Sequence, residues 1–150
     1  KLDLSKSKFT EFPTEIFKYK KLTWLSLSKT KLSELPEGFY FPNLTYLDLS
    51  KNDFDVFPEE ICGITSLKSL HLQKNHIAEI PVCIGQLTKL ERIDLWFNLV
   101  DTIPDEFAKC RALRFADFRG MGYSKSFQAE WIEKMPWVKF EFGLGCDCGN

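Results

Sequence analysis

The sequence predicts a right-handed α/β solenoid, a horseshoe with a parallel β-sheet on its concave face and short 3₁₀ or helical turns on its convex face. Three observations carry this. First, Pro13, Pro36, Pro58, Pro81 and Pro104 lie 23, 22, 23 and 23 residues apart, and a fixed period in this range marks a stacked-repeat architecture. Second, a Leu-x-x-Leu-x-Leu segment precedes each proline, and its period-two alternation reads as a short strand. Third, successive copies run in the same direction along the chain, so their strands must pair in parallel, and wider elements on the return path make the sheet side concave.

The strands are read from Leu22, Leu44, Leu67, Leu90 and Leu113, the first leucine of each copy. The third core position is then Leu4, Leu27, Leu49, Leu72 and Leu95, with Phe118 in the last copy. Ile16, Phe39, Ile61, Ile84 and Phe107 follow the prolines and anchor the return path, which is too short for a long helix. A further column holds Ser7, Thr30, Asn52, Asn75 and Asn98. A buried Asn there can satisfy backbone groups of neighbouring loops, which Ser and Thr do less fully, so the first two repeats should be the looser ones. Repeat two is one residue short, with Pro42 in the shortened stretch.

Residues 1–118 therefore form five repeats plus the strand of a sixth. The chain starts inside a repeat, at Lys1, and earlier residues are expected to have been lost. With nothing before Lys1, Leu2, Leu4, Phe9 and Phe12 would be partly uncovered, and the chain is then expected to self-associate through this open N-terminal edge or to lack a stable first repeat. Beyond Phe118 the pattern breaks. Ser126 reads as the N-cap of a helix through Lys134, with Phe127, Trp131 and Met135 on its apolar face and Pro136 as its stop. Val138, Phe140 and Phe142 alternate as a last strand would. Residues 119–142 read as a C-terminal cap of helix then strand, and 143–150 as a tail or linker.

Composition excludes several classes. The net charge of −1 leaves no basic footprint for nucleic acid. No apolar run reaches the ~18 residues that cross a bilayer, so membrane insertion is not expected. Five cysteines without regular spacing favour free thiols over a disulfide framework, a slight lean towards the cytoplasm. Cys62 and Cys83 sit at different positions in their repeats and need not face each other. Cys110 stands where other copies carry Leu87 and Ile64, so it reads as a buried thiol. Cys146 and Cys148 lie in the Gly-rich tail, and two ligands do not make a tetrahedral metal site.

Residues 1–118 resemble the leucine-rich repeat superfamily, in its class of roughly 23 residues with Leu-Pro-x-x-Ile in the return loop. Leu67, Leu70, Leu72, Asn75, Ile77, Ile80, Pro81 and Ile84 carry the motif most completely. The helix-then-strand ending is similar to the caps of bacterial and Ras-associated intracellular members. The resemblance implies adaptors that bind other proteins on the concave face, with no catalytic role. Trp96 and Phe97 depart from it, standing where small polar residues are usual.

Strand alternation then selects the outward side chains. One column is Lys1, Trp24, Tyr46, Ser69, Arg92 and Phe115. The next is Asp3, Ser26, Asp48, His71, Asp94 and Asp117, and the third is Ser5, Ser28, Ser50, Gln73, Trp96 and Arg119. A rim column holds Lys6, Lys29, Lys51, Lys74 and Phe97. Trp96, Phe97, Arg92, Phe115 and Arg119, with Trp24 and Tyr46 further along, have the composition of a protein-binding hot spot; they could also fold onto the cap and shield it. Asp48, His71, Asp94 and Asp117 read as a polar strip that sets partner charge. A flat strip does not wrap a metal, and although Ser69, His71 and Asp94 are triad types, no oxyanion hole accompanies them. The lysine column reads as a rim that keeps the sheet edge soluble. No motif calls for a cofactor. The function read from this pattern is non-enzymatic protein–protein recognition on the concave sheet. Two alternatives stand beside it: a secreted or cell-surface protein binding glycans or other ligands, and the targeting part of a larger enzyme.

Overall fold

A computed structural model describes residues 1–9 and 12–143 of the 150-residue chain; Cys146 and Cys148 lie outside the described residues. The repeating unit is a two- or three-residue strand followed by a turn, an extended stretch and a return segment. The strands are β1 (Leu2–Asp3), β2 (Trp24–Ser26), β3 (Tyr46–Asp48), β4 (Ser69–His71), β5 (Arg92–Asp94), β6 (Phe115–Asp117) and β7 (Lys139–Glu141). They form one sheet in sequence order, each parallel to the next. Trp24 pairs with Tyr46, Tyr46 with Ser69, Ser69 with Arg92 and Arg92 with Phe115, so the register follows the sequence columns. The chain is a right-handed solenoid with this sheet on its concave side, the hand that parallel crossovers take.

Four return segments are 3₁₀ helices: η1 (Thr14–Lys18), η2 (Glu59–Gly63), η3 (Val82–Gln86) and η4 (Asp105–Lys109), each entered from a repeat proline. Proline suits that place because its fixed φ leads into the turn and its missing N–H removes a donor that would otherwise be orphaned. The second repeat forms no such helix. Gly38, at φ +76°, turns the chain instead, and the missing residue falls just beyond it, between Phe39 and Leu44.

The core lies between sheet and return segments. Leu25, Leu47, Leu70, Ile93 and Ala116 point inward from the strands, and Phe39, Ile61, Ile84 and Phe107 meet them from the convex side, all buried. Burying such an aliphatic or Phe side chain contributes about 1.5–3 kcal/mol. Leu2, Leu4, Phe9 and Phe12 are only partly buried against the core. At the other end, α1 (Lys125–Lys134) and β7 cover the last repeat. Trp131 packs edge-on against Phe107 at 5.9 Å, and Phe140 and Phe142 stack on Phe118. The helix begins two residues earlier than its sequence suggests. Ser124, not Ser126, is the N-cap, its Oγ accepting from the Phe127 N–H at 3.2 Å. Ser126 lies inside the helix, its hydroxyl 3.0 Å from that of Ser124.

The asparagine column ties the loops together. Asn75 Nδ2 donates to the carbonyls of Leu72 (2.8 Å) and of Leu49 one repeat back (3.1 Å), while its Oδ1 accepts from the Phe54 N–H at 3.2 Å. Asn52 and Asn98 repeat this arrangement. Thr30 makes the local bond, Oγ1 to the Leu27 carbonyl at 2.7 Å, and reaches Asn52 Oδ1 at 3.0 Å, without the Asn bond to the carbonyl one repeat back.

The cysteine expectation fails at one pair. Cys62 and Cys83 form a disulfide, with Cα atoms 5.7 Å apart. They hold different positions in their repeats, but adjacent turns stack out of phase. The fourth residue of one 3₁₀ helix faces the second residue of the next. Gly85 and Glu106 show the same relation: a Cβ on Gly85 would come 2.8 Å from the Glu106 carbonyl oxygen. Cys110 is a buried free thiol whose Sγ donates to the Ile84 carbonyl.

Candidate interaction surface

The sheet carries its outward side chains in rows across the strands, about 4.8 Å apart at their bases. In the first row Trp24 and Tyr46 stack nearly parallel, with centroids 4.8 Å apart and planes 9° off. The Lys1 ammonium lies 4.2 Å over the Trp24 ring, and His71 lies 4.9 Å from the other side of Tyr46. Further along, the Arg92 guanidinium sits 4.0 Å over Phe115. The strand spacing itself sets these contacts, because flat rings on neighbouring strands reach stacking distance.

The second row is ionic. Asp94 accepts two hydrogen bonds from Arg92, Nε at 3.1 Å and Nη2 at 3.0 Å, and pairs with His71 Nδ1 at 2.6 Å. Burial pushes the Asp94 carboxyl up, but the bonds from His71 and Arg92 outweigh it and hold the group below the usual carboxylate range. Burial, with Asp48 and Asp94 nearby, raises the Tyr46 phenol. Asp117 binds Arg119 through Nε at 2.9 Å and Nη2 at 2.6 Å; that bond raises the Arg119 guanidinium. The aspartates also shape the backbone. Asp3, Asp48 and Asp117 each accept the N–H two residues on, closing the turn that ends the strand. Sequence reading missed this second role, although Asp recurring at the last strand position signals it.

His71 contacts Asp94 on one side and, through Nε2, Ser69 Oγ at 2.9 Å on the other. Ser69, His71 and Asp94 thus form a hydrogen-bonded chain of triad types. The sheet provides no complementary oxyanion donors from the amides of Ser69 and Arg92, which bond the carbonyls of Thr45 and Lys68. Among the described residues no group of three or more His, Cys, Asp or Glu side chains is placed to hold a metal ion.

The third row carries Trp96 just past β5. Lys74 Nζ lies 4.6 Å over its ring, the Arg119 guanidinium 5.9 Å away, and Phe97 is a tilted neighbour at 5.9 Å. Trp96 is half-buried. Phe97 is 63% exposed and Leu99 64% exposed, so neither side chain closes over the cap. The residues picked from sequence fall into two groups: Trp24–Tyr46–His71 joined through His71–Asp94 to Arg92 and Phe115, and Trp96–Phe97–Arg119–Asp117. Asp48 bonds the Ser26 hydroxyl at 3.4 Å instead of His71.

The rim column has a backbone property that its residue types conceal. Lys6, Lys29, Lys51, Lys74 and Phe97 all have φ between 57° and 63°, and Gly120 takes the same place at +88°. Left-handed backbone costs an L-residue about 1–2 kcal/mol, and a bulky aromatic there is an outlier. The pair Gly120 and Gly122 is the sequence signal for this geometry.

A parallel sheet in strict sequence order, an inward leucine lattice and an Asn ladder define a leucine-rich repeat protein. Sequence comparison agrees: the chain matches the leucine rich repeat family over residues 1–54 and 21–77, and a two-copy leucine rich repeats family over residues 65–109. It belongs to the leucine-rich repeat family, whose fold is typically a non-catalytic scaffold used for protein–protein interaction. No curated protein matches it in sequence. Among solved structures it is similar to the Leptospira interrogans LRR protein LIC12759, at 28% identity and a TM-score of 0.80, covering 92% of this chain and 35% of that one. Two internalins of Listeria monocytogenes share the fold. Internalin inlF has 19% identity and a TM-score of 0.69, over 81% of this chain and 34% of its own; internalin C2 has 20% and 0.60, over 70% and 46%. The chain spans about a third of the length of the first two.

Proposed function

We propose that this chain binds a partner protein on its concave sheet, through Trp24, Tyr46, Asp48, His71, Arg92, Asp94, Trp96, Phe97, Phe115, Asp117 and Arg119. The observation that carries the reading is the line of contacts Lys1–Trp24–Tyr46–His71, with Arg92–Phe115 further along the sheet, in which each aromatic side chain is held by its neighbours on adjacent strands. Side chains already held in place lose little freedom on docking, which favours affinity. Large aromatics beside arginines are the usual anchors of protein interfaces.

The secreted or cell-surface reading is favoured by one observation. Disulfides such as Cys62–Cys83 persist in oxidising surroundings, and this bond removes the unpaired-thiol argument for a cytoplasmic site. Glycan binding is less well supported. Sugars stack on ring faces, and the faces of Trp24 and Tyr46 are turned to each other, to Lys1 and to His71.

A photo-crosslinking residue in place of Tyr46 or Trp96 tests the reading, with Val82 on the convex side as control. Crosslinks to a protein from the concave positions alone are expected. Crosslinks from position 82 alone, or from none, overturn it. Trp96→Ala should abolish partner binding with unchanged melting; a large fall in melting temperature would assign Trp96 to the fold instead.

A further inference from the structure

The rim above the sheet differs from one end to the other. Its first row is Lys6, Lys29, Lys51 and Lys74, then Phe97 and Gly120, all in left-handed backbone. The residue two places further on in each repeat is Lys8, Lys31, Asp53, His76 and then Leu99. The rim is therefore cationic over the early repeats and apolar at the fifth. Among the described residues, Lys29, Lys31 and Lys51 have no carboxylate within ion-pair distance. At the apolar end Phe97 and Leu99, with Lys74, His76 and Gly120, line a groove of about 310 Å³.

Phe97 is the telling residue. A large aromatic stands in a backbone conformation that glycine adopts freely, with most of its surface in water. The next repeat puts Gly120 in the same place. Strain and exposure together, without burial in return, point to a contact made outside the fold.

We propose that this rim docks an acidic, extended segment of a partner protein that ends in a large apolar side chain. The carboxylates run along Lys29 and Lys51, and the apolar side chain seats against Phe97 and Leu99 beside Gly120. Four strand spacings of about 4.8 Å separate Lys6 from Phe97, roughly 19 Å, which an extended peptide covers in about six residues. The lysines stand in file at strand spacing, so they match a linear polyanion. Gly120 leaves room that a side chain would take: a Cβ there would meet Phe97 at 3.6 Å. A lipid surface fits less well, because the exposed apolar residues sit at one end of the row and not along it. This inference rests on the reading that the chain binds proteins, and it gives the rim, which shares Phe97 with the concave surface, an occupant of its own.

The test is selection of a random peptide library, about twelve residues long and so twice the span of the strip, on the whole chain. Selected peptides should carry an acidic run with Phe, Leu or Trp at one end. They should bind at least tenfold more weakly to Lys29→Glu/Lys51→Glu and to Phe97→Gly, and lose affinity as salt screens the row. Phe97→Gly keeps the backbone conformation, so a correctly melting variant isolates the contact. Binding should survive Tyr46→Ala on the sheet floor. Failure to enrich such peptides, equal binding by the rim variants, or equal binding to anionic phosphatidylglycerol vesicles overturns the proposal. Peptides lost with Tyr46→Ala and kept by the rim variants overturn it while leaving the concave reading intact.

Discussion

Phe97 and Gly120 occupy the same left-handed backbone position in successive repeats, and the Phe97 N–H is bonded to the carbonyl of Arg119, directly before Gly120, at 3.0 Å. One residue is strained there and the other is not. Phe97→Gly is therefore expected to leave stability unchanged or raise it by up to about 1 kcal/mol. Gly120→Ala should lower it by about 1–2 kcal/mol. Thermal melts of the two variants check the pair; a marked loss in Phe97→Gly would assign the ring to the fold.

The asparagine column predicts a graded series. Asn75→Ala strands the Phe54 N–H away from water and removes one donor each from the Leu49 and Leu72 carbonyls, which keep Asn52 and Asn98. With about 1–3 kcal/mol for the unsatisfied N–H and about 1 kcal/mol for the two lost carbonyl bonds, a loss of about 2–4 kcal/mol is expected. Ser7→Ala, at an incompletely buried site, should cost much less, within about 0.5 kcal/mol. Urea denaturation gives both values. Equal losses would mean that the column does not work by hydrogen bonding.

The Cys62–Cys83 bridge links residues 21 apart. Loop-closure entropy for that length gives a stabilisation of about 3 kcal/mol. Reduction, or Cys62→Ser with Cys83→Ser, should remove it. Peptide mapping without reductant should recover the two cysteines joined. Cys110 should stay unalkylated in the folded protein, since burial pushes its thiol up to about 12 and hides it. Rapid native labelling of Cys110 would contradict the buried assignment.

Asp94 makes stability depend on acid. Its carboxyl is held below its unfolded value by His71 and Arg92 against the opposing effect of burial, so the folded state binds that proton less readily than the unfolded chain. Its contribution is fully present above the ordinary carboxylate value of about 3.9 and is lost as pH falls through the lower folded value. Asp94→Asn should cost about 1–3 kcal/mol at neutral pH and flatten the acid limb of the stability profile. Denaturation from pH 7 down to about pH 2 measures it; an unchanged acid limb in the variant would refute the linkage.

The scaffold was legible because a 23-residue period constrains every copy at once. Leu25, Leu47, Leu70 and Ile93 had to share a face, and the outward columns followed from strand alternation. Repeat two hinted at its own exception, since a missing residue beside Pro42 leaves too little chain for the 3₁₀ helix of its neighbours. Three features lay outside that logic. The Cys62–Cys83 pairing depends on the phase between adjacent turns, which a period does not encode; Gly85 opposite Glu106 is its one sequence trace. Lysine hides a left-handed position that glycine would have announced. The contacts Arg92–Phe115 and His71–Asp94 depend on rotamers, and a column of residue types does not say which neighbour each side chain chooses.

The uneven asparagine column and the Cys62–Cys83 staple also give the solenoid a direction of opening. Each turn rests on its neighbours, so stability is a sum of local units and interfaces. Ser7 and Thr30 lack the amide that reaches the carbonyl one repeat back, and the second turn lacks its 3₁₀ helix, whereas the third and fourth turns are joined covalently. Hydrogen exchange should therefore find the coil unzipping from its first two turns. The stapled middle and the Trp131-covered end should exchange last, so the early turns can breathe while the later ones keep their shape.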